Sequence, residues 1–153
     1  MSAQLRKLVS STEIKLDGKL IHEILTHKPY CMTSTSPKFI QGVELLDDRE
    51  WGKVGSVRLW KFISQDGKTS VAKDIIEAVD DANKSVTFRM IEGDILMVYN
   101  TFAITYNFDK VGGSNLVTCT FEYEKKDDNI PDPHSFMDVC LNGIKDIEAY
   151  HLN

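Results

Sequence analysis

The period of apolar and polar positions changes along this chain, and those changes set the expected order of elements. Over residues 5–16 the period is two. Leu8, Ser10, Thr12, Ile14 and Leu16 share one face and Lys7, Ser11, Glu13 and Lys15 the other, as in a strand. Asp17 then offers an N-cap, and Leu20, Ile21, Ile24 and Leu25 form the apolar stripe of a short helix ending near His27-Lys28-Pro29. A second short helical or irregular piece fills 29–37, where the run Thr33-Ser34-Thr35-Ser36 favours caps and turns. Period two returns in six further predicted strands, 39–46, 57–64, 71–79, 86–91, 95–108 and 116–125. Asp66-Gly67, 80–83 and Gly112-Gly113 supply turns between them, and a polar loop, DDREWGKVGS, occupies 47–56.

Within these strands the alternation assigns faces. Arg58, Trp60 and Phe62 fall on one side of their strand, opposite Val57, Leu59 and Ile63; Lys73 shares a face with Val71 and Ile75. Phe102, Ile104, Tyr106 and Phe108 alternate cleanly, whereas Tyr99 is out of phase with them, which predicts a bulge. The last segment is helical in period. Asp132 can cap it, Pro133 suits its first position, and Phe136, Val139, Cys140, Gly143, Ile144, Ile147 and Tyr150 lie on one stripe. A helix of about 20 residues spans about 30 Å, the width of a small domain.

The predicted class is therefore α+β: an antiparallel meander whose apolar face must be buried on the C-terminal helix, the one large apolar partner the chain offers. Residues 1–153 read as one domain. The stripe of that helix is thin at Cys140 and Gly143, and the strands facing it carry small residues such as Thr101 or Ala103 beside large ones at Trp60, Phe62, Phe88, Met90 and Tyr99. Periodicity leaves two outcomes open. Either Gly143 permits close packing of a filled core, or the helix and the curved sheet enclose a cavity lined by apolar and aromatic groups.

Composition narrows the function classes. Eighteen Lys and Arg against 23 Asp and Glu give a net charge of −5, and the basic residues are scattered, so neither a nucleic acid nor an anionic membrane is an expected partner. No signal-peptide pattern and no membrane-length apolar run occurs. Cys31, Cys119 and Cys140 are odd in number and far apart, which fits a reduced intracellular protein with free thiols. The four histidines are isolated and His22-Glu23 lacks the two-histidine helical pair, so no metal is expected; no cofactor motif or hydrolytic triad is visible.

Several stretches in the right order and spacing are similar to plant major latex proteins: EWGKVGS at 50–56, VAKDIIEAVDDANKSVTF at 71–88, IEGD at 91–94, FEYEK at 121–125 and PDPH at 131–134. These proteins belong with the pathogenesis-related class-10 proteins to the Bet v 1 superfamily. The resemblance implies a helix-grip (START-like) fold: a seven-stranded antiparallel sheet wrapped around a long C-terminal helix, two short helices in a V, and an internal hydrophobic cavity. It also implies a plant, largely cytoplasmic protein of specialised metabolism or defence that binds a hydrophobic metabolite, hormone or lipid, as a monomer or weak homodimer. Some relatives are enzymes, so the alternative is a cofactor-independent cyclase or isomerase that steers a reactive terpenoid (iridoid) or alkaloid intermediate. The loop at 47–56 takes the place of the superfamily's glycine-rich loop but lacks the Gly-Lys-Ser/Thr ending of a phosphate-binding loop.

The expected ligand-binding set is Tyr30, Arg58, Trp60, Phe62, Lys73, Phe88, Met90, Tyr99, Thr101, Phe136, Val139, Cys140 and Gly143. Arg58 has two readings: a guanidinium that orients a ligand carbonyl or carboxylate, or a rim arginine paired with an acidic neighbour and reaching solvent. Lys73 has the same two. Tyr99 is either a phenolic donor in the pocket or a core tyrosine bonded to backbone. Tyr30 and Cys31, at the expected entrance, and Met97-Val98 make the mouth and one strand face more apolar than is usual in the family. No catalytic residue is assigned.

Overall fold

The structure is a computed structural model that describes residues 4–46, 50–64 and 66–152. Asp47, Asp48 and Arg49 of the polar loop lie outside the described residues. Strand β1 (Leu5–Ile14) is followed by helix α1 (Gly18–His27), a 3₁₀ turn (Pro29–Cys31), helix α2 (Met32–Thr35) and strands β2 (Ile40–Leu45), β3 (Val57–Ile63), β4 (Thr69–Asp80) and β5 (Ser85–Gly93). A second 3₁₀ turn (Asp94–Met97) leads into β6 (Tyr99–Val111), β7 (Ser114–Lys125) and the long helix α3 (His134–Leu152).

The strands form one antiparallel seven-stranded sheet in the order β1-β7-β6-β5-β4-β3-β2. This order explains the two short helices. The chain leaves β1 at one sheet edge and re-enters at β2 on the opposite edge, so α1 and α2 must bridge the full width of the sheet. Asp17 caps α1 as expected, accepting from the Lys19 N–H at 2.9 Å. Register shifts in β4 at Lys73/Asp74 and Ile76/Ala78, and in β6 at Tyr99/Thr101, add local bend and twist to the sheet. The last is the bulge expected from the phase of Tyr99, and it turns that ring inward.

The concave face carries Arg58, Ala72, Asp74, Ile76, Val86, Phe88, Phe102, Ile104, Tyr106, Phe108, Val117, Cys119, Phe121 and Tyr123, all buried. Ile76 opposes Phe88, Phe88 opposes Ile104, and Ile104 opposes Phe121, so apolar side chains run unbroken across four strands. Ile21, Ile24 and Leu25 of α1 join this core, and Ile144 and Ile147 of α3 close it from above.

Three element expectations need correction. Residues 94–97 form a 3₁₀ turn and β6 begins at Tyr99, because the apolar run Ile95-Leu96-Met97-Val98 has no alternation to separate strand from turn. Asp132 has its carboxylate engaged by Tyr123 Oη at 2.6 Å and Lys125 Nζ at 3.1 Å, so it ties the helix start to β7. Tyr150 is exposed, and the buried side of α3 includes Met137 and Glu148 instead; Glu148 accepts from the Lys15 N–H.

Candidate functional site

Helix α3 is fixed at both ends and leaves space beneath its middle. At its start, Tyr99 Oη donates to Pro131 O at 2.6 Å, beside the Tyr123–Asp132–Lys125 cluster. Near its end, Ser36 Oγ of the segment after α2 donates to Asp146 Oδ2 at 2.8 Å, and Lys145 Nζ donates to Glu13 O of β1. Between these anchors Val139, Cys140 and Gly143 are only half-buried although they face the sheet, since what lies below them is a void. A Cβ placed on Gly143 would meet only Met32 Cε, at 3.6 Å, so this glycine does not mark a close helix–sheet contact.

The void is a cavity of about 670 Å³, the size of a small-molecule site. Its walls are Trp60, Phe62, Phe88, Met90, Tyr99, Ile104 and Tyr106 from the sheet and Phe136, Val139, Cys140, Gly143 and Ile144 from α3. Met32, Phe39 and Ile40 complete the side towards α2 and β2. The exposed members of the lining, Asp66, Asp94, Pro131, Asp132 and Ser135, mark where it reaches solvent, between the β3–β4 turn, the turn after β5 and the start of α3.

Of the expected site residues, ten line this cavity: Arg58, Trp60, Phe62, Phe88, Met90, Tyr99, Phe136, Val139, Cys140 and Gly143. Three do not. Lys73 points to the convex face with Val71 and Ile75 and pairs with Glu92 at 2.7 Å. Thr101 lies on the outer side of the β6 bulge, out of phase with inward Phe102 and Ile104. Tyr30 is 45% exposed and packs on Trp51, ring centroids 5.5 Å apart, away from the mouth. The entrance expected at Tyr30-Cys31 is therefore displaced to the other end of the cavity, where aspartates and not apolar groups flank it.

Arg58 combines parts of both its readings. It has the acidic partner of a rim arginine, yet it is 2% exposed. Its Nε and Nη2 donate to Asp74 Oδ1 and Oδ2 at 2.8 and 2.9 Å, and Nη1 donates to Leu25 O at 2.8 Å. Trp60 Nε1 donates to the same Asp74 Oδ2 at 3.1 Å, and the guanidinium lies 4.0 Å from the Phe88 ring centroid and 5.1 Å from that of Trp60. Asp74 stands directly opposite Arg58 in the β3–β4 register, so the pair is a cross-strand feature of the cavity wall. Sequence reasoning missed Asp74. The signal was its period-two relation to Ala72 and Ile76, obscured because Val71 and Ile75 make the other face of β4 equally apolar.

The phenols of the lining, and the Cys119 thiol beside Cys140, favour their neutral forms. Burial, and then the neighbouring Cys140 and Cys119 thiols, hold the Tyr106 phenol well above its ordinary value. Hydrogen bonding with Cys140, and then burial, keep Cys119 far above the usual thiol range. Tyr99 is raised by burial and by the charge of Asp132, with its hydroxyl already engaged by Pro131 O. None of these is poised to transfer a proton near neutrality.

The described part of the loop after β2, residues 50–56, does not offer a phosphate cradle. Gly52, at φ +85°, lies under the His27 imidazole, which a Cβ there would approach to 2.3 Å, and Trp51 O lies 3.2 Å from His27 Nδ1. Ser56 Oγ donates to Glu50 O and Lys53 O, closing the described part of the loop on itself.

A family model for the pathogenesis-related protein Bet v 1 family matches residues 3–153. The chain belongs to that family. Within it, MLP-like protein 31 of Arabidopsis thaliana is 40% identical over 149 residues, covering 96% of this chain and 86% of the relative. MLP-like protein 43 of the same plant is 34% identical over 153 residues, covering 99% and 96%. Among solved structures, ginseng major latex-like protein 151 from Panax ginseng superposes with a TM-score of 0.91 at 39% identity, over 97% of this chain and 99% of that one. A Thalictrum flavum norcoclaurine synthase in complex with a transition-state analogue has a TM-score of 0.76 at 16% identity over 100% and 99%, a likeness of fold alone. The Bet v 1 fold, with its seven-stranded antiparallel sheet, two short helices and long C-terminal helix, is thus shared across these proteins. Among the described residues no helix is long and apolar enough to cross a membrane.

Proposed function

We propose that this Bet v 1 family member binds a hydrophobic small molecule in the cavity between the sheet and α3, in the manner of a cytoplasmic carrier or sensor of a plant metabolite, hormone or lipid. The observation that carries this reading is the half-buried middle of α3, where Val139, Cys140 and Gly143 face about 670 Å³ of largely apolar space. Membership of a family with this fold supports it further. A neutral lipophilic dye such as Nile red should gain fluorescence on titration with the protein, and lose it when apolar metabolites are added. No gain in fluorescence, together with no ligand retained in native mass spectra, would remove the reading.

The cyclase or isomerase alternative draws on a narrower basis. Lys73 is outside the cavity, and Tyr99, though in its lining, donates its hydroxyl to Pro131 O, so of these three polar groups only Arg58 has donors left for an occupant. Such an enzyme would act by shaping its substrate. Incubation with reactive terpenoid and alkaloid intermediates, scored by product stereochemistry, separates the two; unchanged product ratios leave the binding function.

A further inference from the structure

A guanidinium carries five N–H donors. Three of those on Arg58 meet protein acceptors, two on Asp74 and one on Leu25 O, and the other two have no partner among the described residues. The group is 2% exposed and belongs to the cavity lining, so an occupant seated against this wall is the partner those donors can still gain. Buried polar hydrogens are ordinarily matched. Arg58 therefore supplies a hydrogen-bond donor at an otherwise apolar and aromatic wall built from Trp60, Phe88 and Tyr106.

Its charge, however, is not available. Asp74 meets the guanidinium in a two-pronged ion pair at 2.8 and 2.9 Å, and no other Lys or Arg lines the cavity among the described residues. The mouth is flanked by three carboxylates, Asp66, Asp94 and Asp132. An incoming anion passes acidic groups and finds a cation already neutralised, and its desolvation goes uncompensated. A neutral oxygen acceptor avoids both problems. Asp74 in turn already accepts three hydrogen bonds, from Arg58 Nε and Nη2 and Trp60 Nε1, so it is a poor site for a ligand cation.

We infer that the cavity selects apolar ligands bearing a neutral carbonyl oxygen (ketone, ester or lactone), anchored on the unmatched N–H groups of Arg58, and discriminates against carboxylates of the same length. The inference rests on the cavity being a ligand site and names the ligand class.

The test is displacement of Nile red from the full chain at neutral pH by decane, methyl octyl ketone and decanoate. The ketone is expected to bind about tenfold more tightly than either, since a hydrogen bond gained by an otherwise unmatched buried donor contributes up to that order. Decanoate binding as well as the ketone, or decane matching it, overturns the inference while leaving the cavity a binding site. Failure of the dye and all three compounds to bind overturns the binding function itself. The double substitution Arg58→Met with Asp74→Leu replaces a buried ion pair by apolar groups of similar bulk, which proteins commonly tolerate. It should lose the preference for ketone over decane; a preference that survives in the folded double variant counts against Arg58 as the anchor. Should that variant not fold, the infrared carbonyl stretch of isotope-labelled ketone bound to the unaltered protein decides. A shift to lower frequency than in alkane solvent is expected, and an unshifted band overturns the anchor.

Discussion

Gly143 and Arg58 show how differently two residues of one cavity declare themselves. A glycine inside a helix costs about 1 kcal/mol relative to alanine, and the space around Gly143 gives no packing reason for it, since an added Cβ has only Met32 Cε at 3.6 Å. Gly143→Ala should therefore raise stability by about 1 kcal/mol in denaturant unfolding. Gly143→Leu should fold but bind Nile red far more weakly, because its side chain enters the void; undiminished dye binding would place the ligand elsewhere. Arg58 was legible from alternation alone, as it shares phase with Trp60 and Phe62. Asp74 was not. In β4 the inward Ala72 and Ile76 and the outward Val71 and Ile75 are equally apolar, and a register shift at Lys73/Asp74 interrupts the count. A strand with two apolar faces carries no directional signal, and so the sequence reading placed Lys73 inside and left Asp74 out.

At the scale of elements, α3 was readable as a helix from its period, and its attachments were not. Tyr123, Lys125 and Asp132 are near in sequence, but their meeting depends on how the connector after β7 folds back. Hydrogen bonds from Tyr123 and then Lys125 hold the Asp132 carboxyl below its ordinary value of 3.8. A carboxylate depressed in the folded state stabilises fully above its unfolded value. That contribution is lost as the pH falls below 3.8 and through the lower folded value. The site is largely solvent-exposed, so the effect is under about 1 kcal/mol. Asp132→Asn should accordingly be slightly less stable than the parent at pH 7, with the two unfolding curves converging below pH 4 (about the ordinary carboxylate value). A gap that persists unchanged into acid would mean that the ionised form is not what holds α3. The turn at Asp94–Met97 teaches the complementary lesson, because four consecutive apolar residues after Gly93-Asp94 do not distinguish a strand start from a 3₁₀ turn.

For the molecule as a whole, a cavity of about 670 Å³ in a small protein is a standing loss of packing contacts that an occupant would restore. A ligand that binds only the folded chain adds about 2.7 kcal/mol at one hundred times its dissociation constant. The thermal midpoint should therefore climb with ketone concentration and keep climbing past saturation, while decanoate at the same concentrations moves it less. A midpoint indifferent to every compound that displaces dye would contradict binding to the native state.

What this sequence determined by itself is the set of elements and most of their apolar faces, β4 excepted: seven strands, the cap at Asp17, the bulge at Tyr99 and the long final helix all follow from local periodicity and turn chemistry. Those faces already called for a meander packed on the last helix, and the resemblance to major latex proteins added the expectation of a cavity between them. Tertiary structure alone decided the size of the void, its mouth and its polarity. Whether Gly143 meets a neighbour or empty space depends on where the anchored ends of α3 hold its middle. Whether Arg58 offers a charge or only hydrogen-bond donors depends on Asp74, sixteen residues away across a strand pair. Period records which way a side chain points, and the distance to what it points at is fixed only when the sheet has curved.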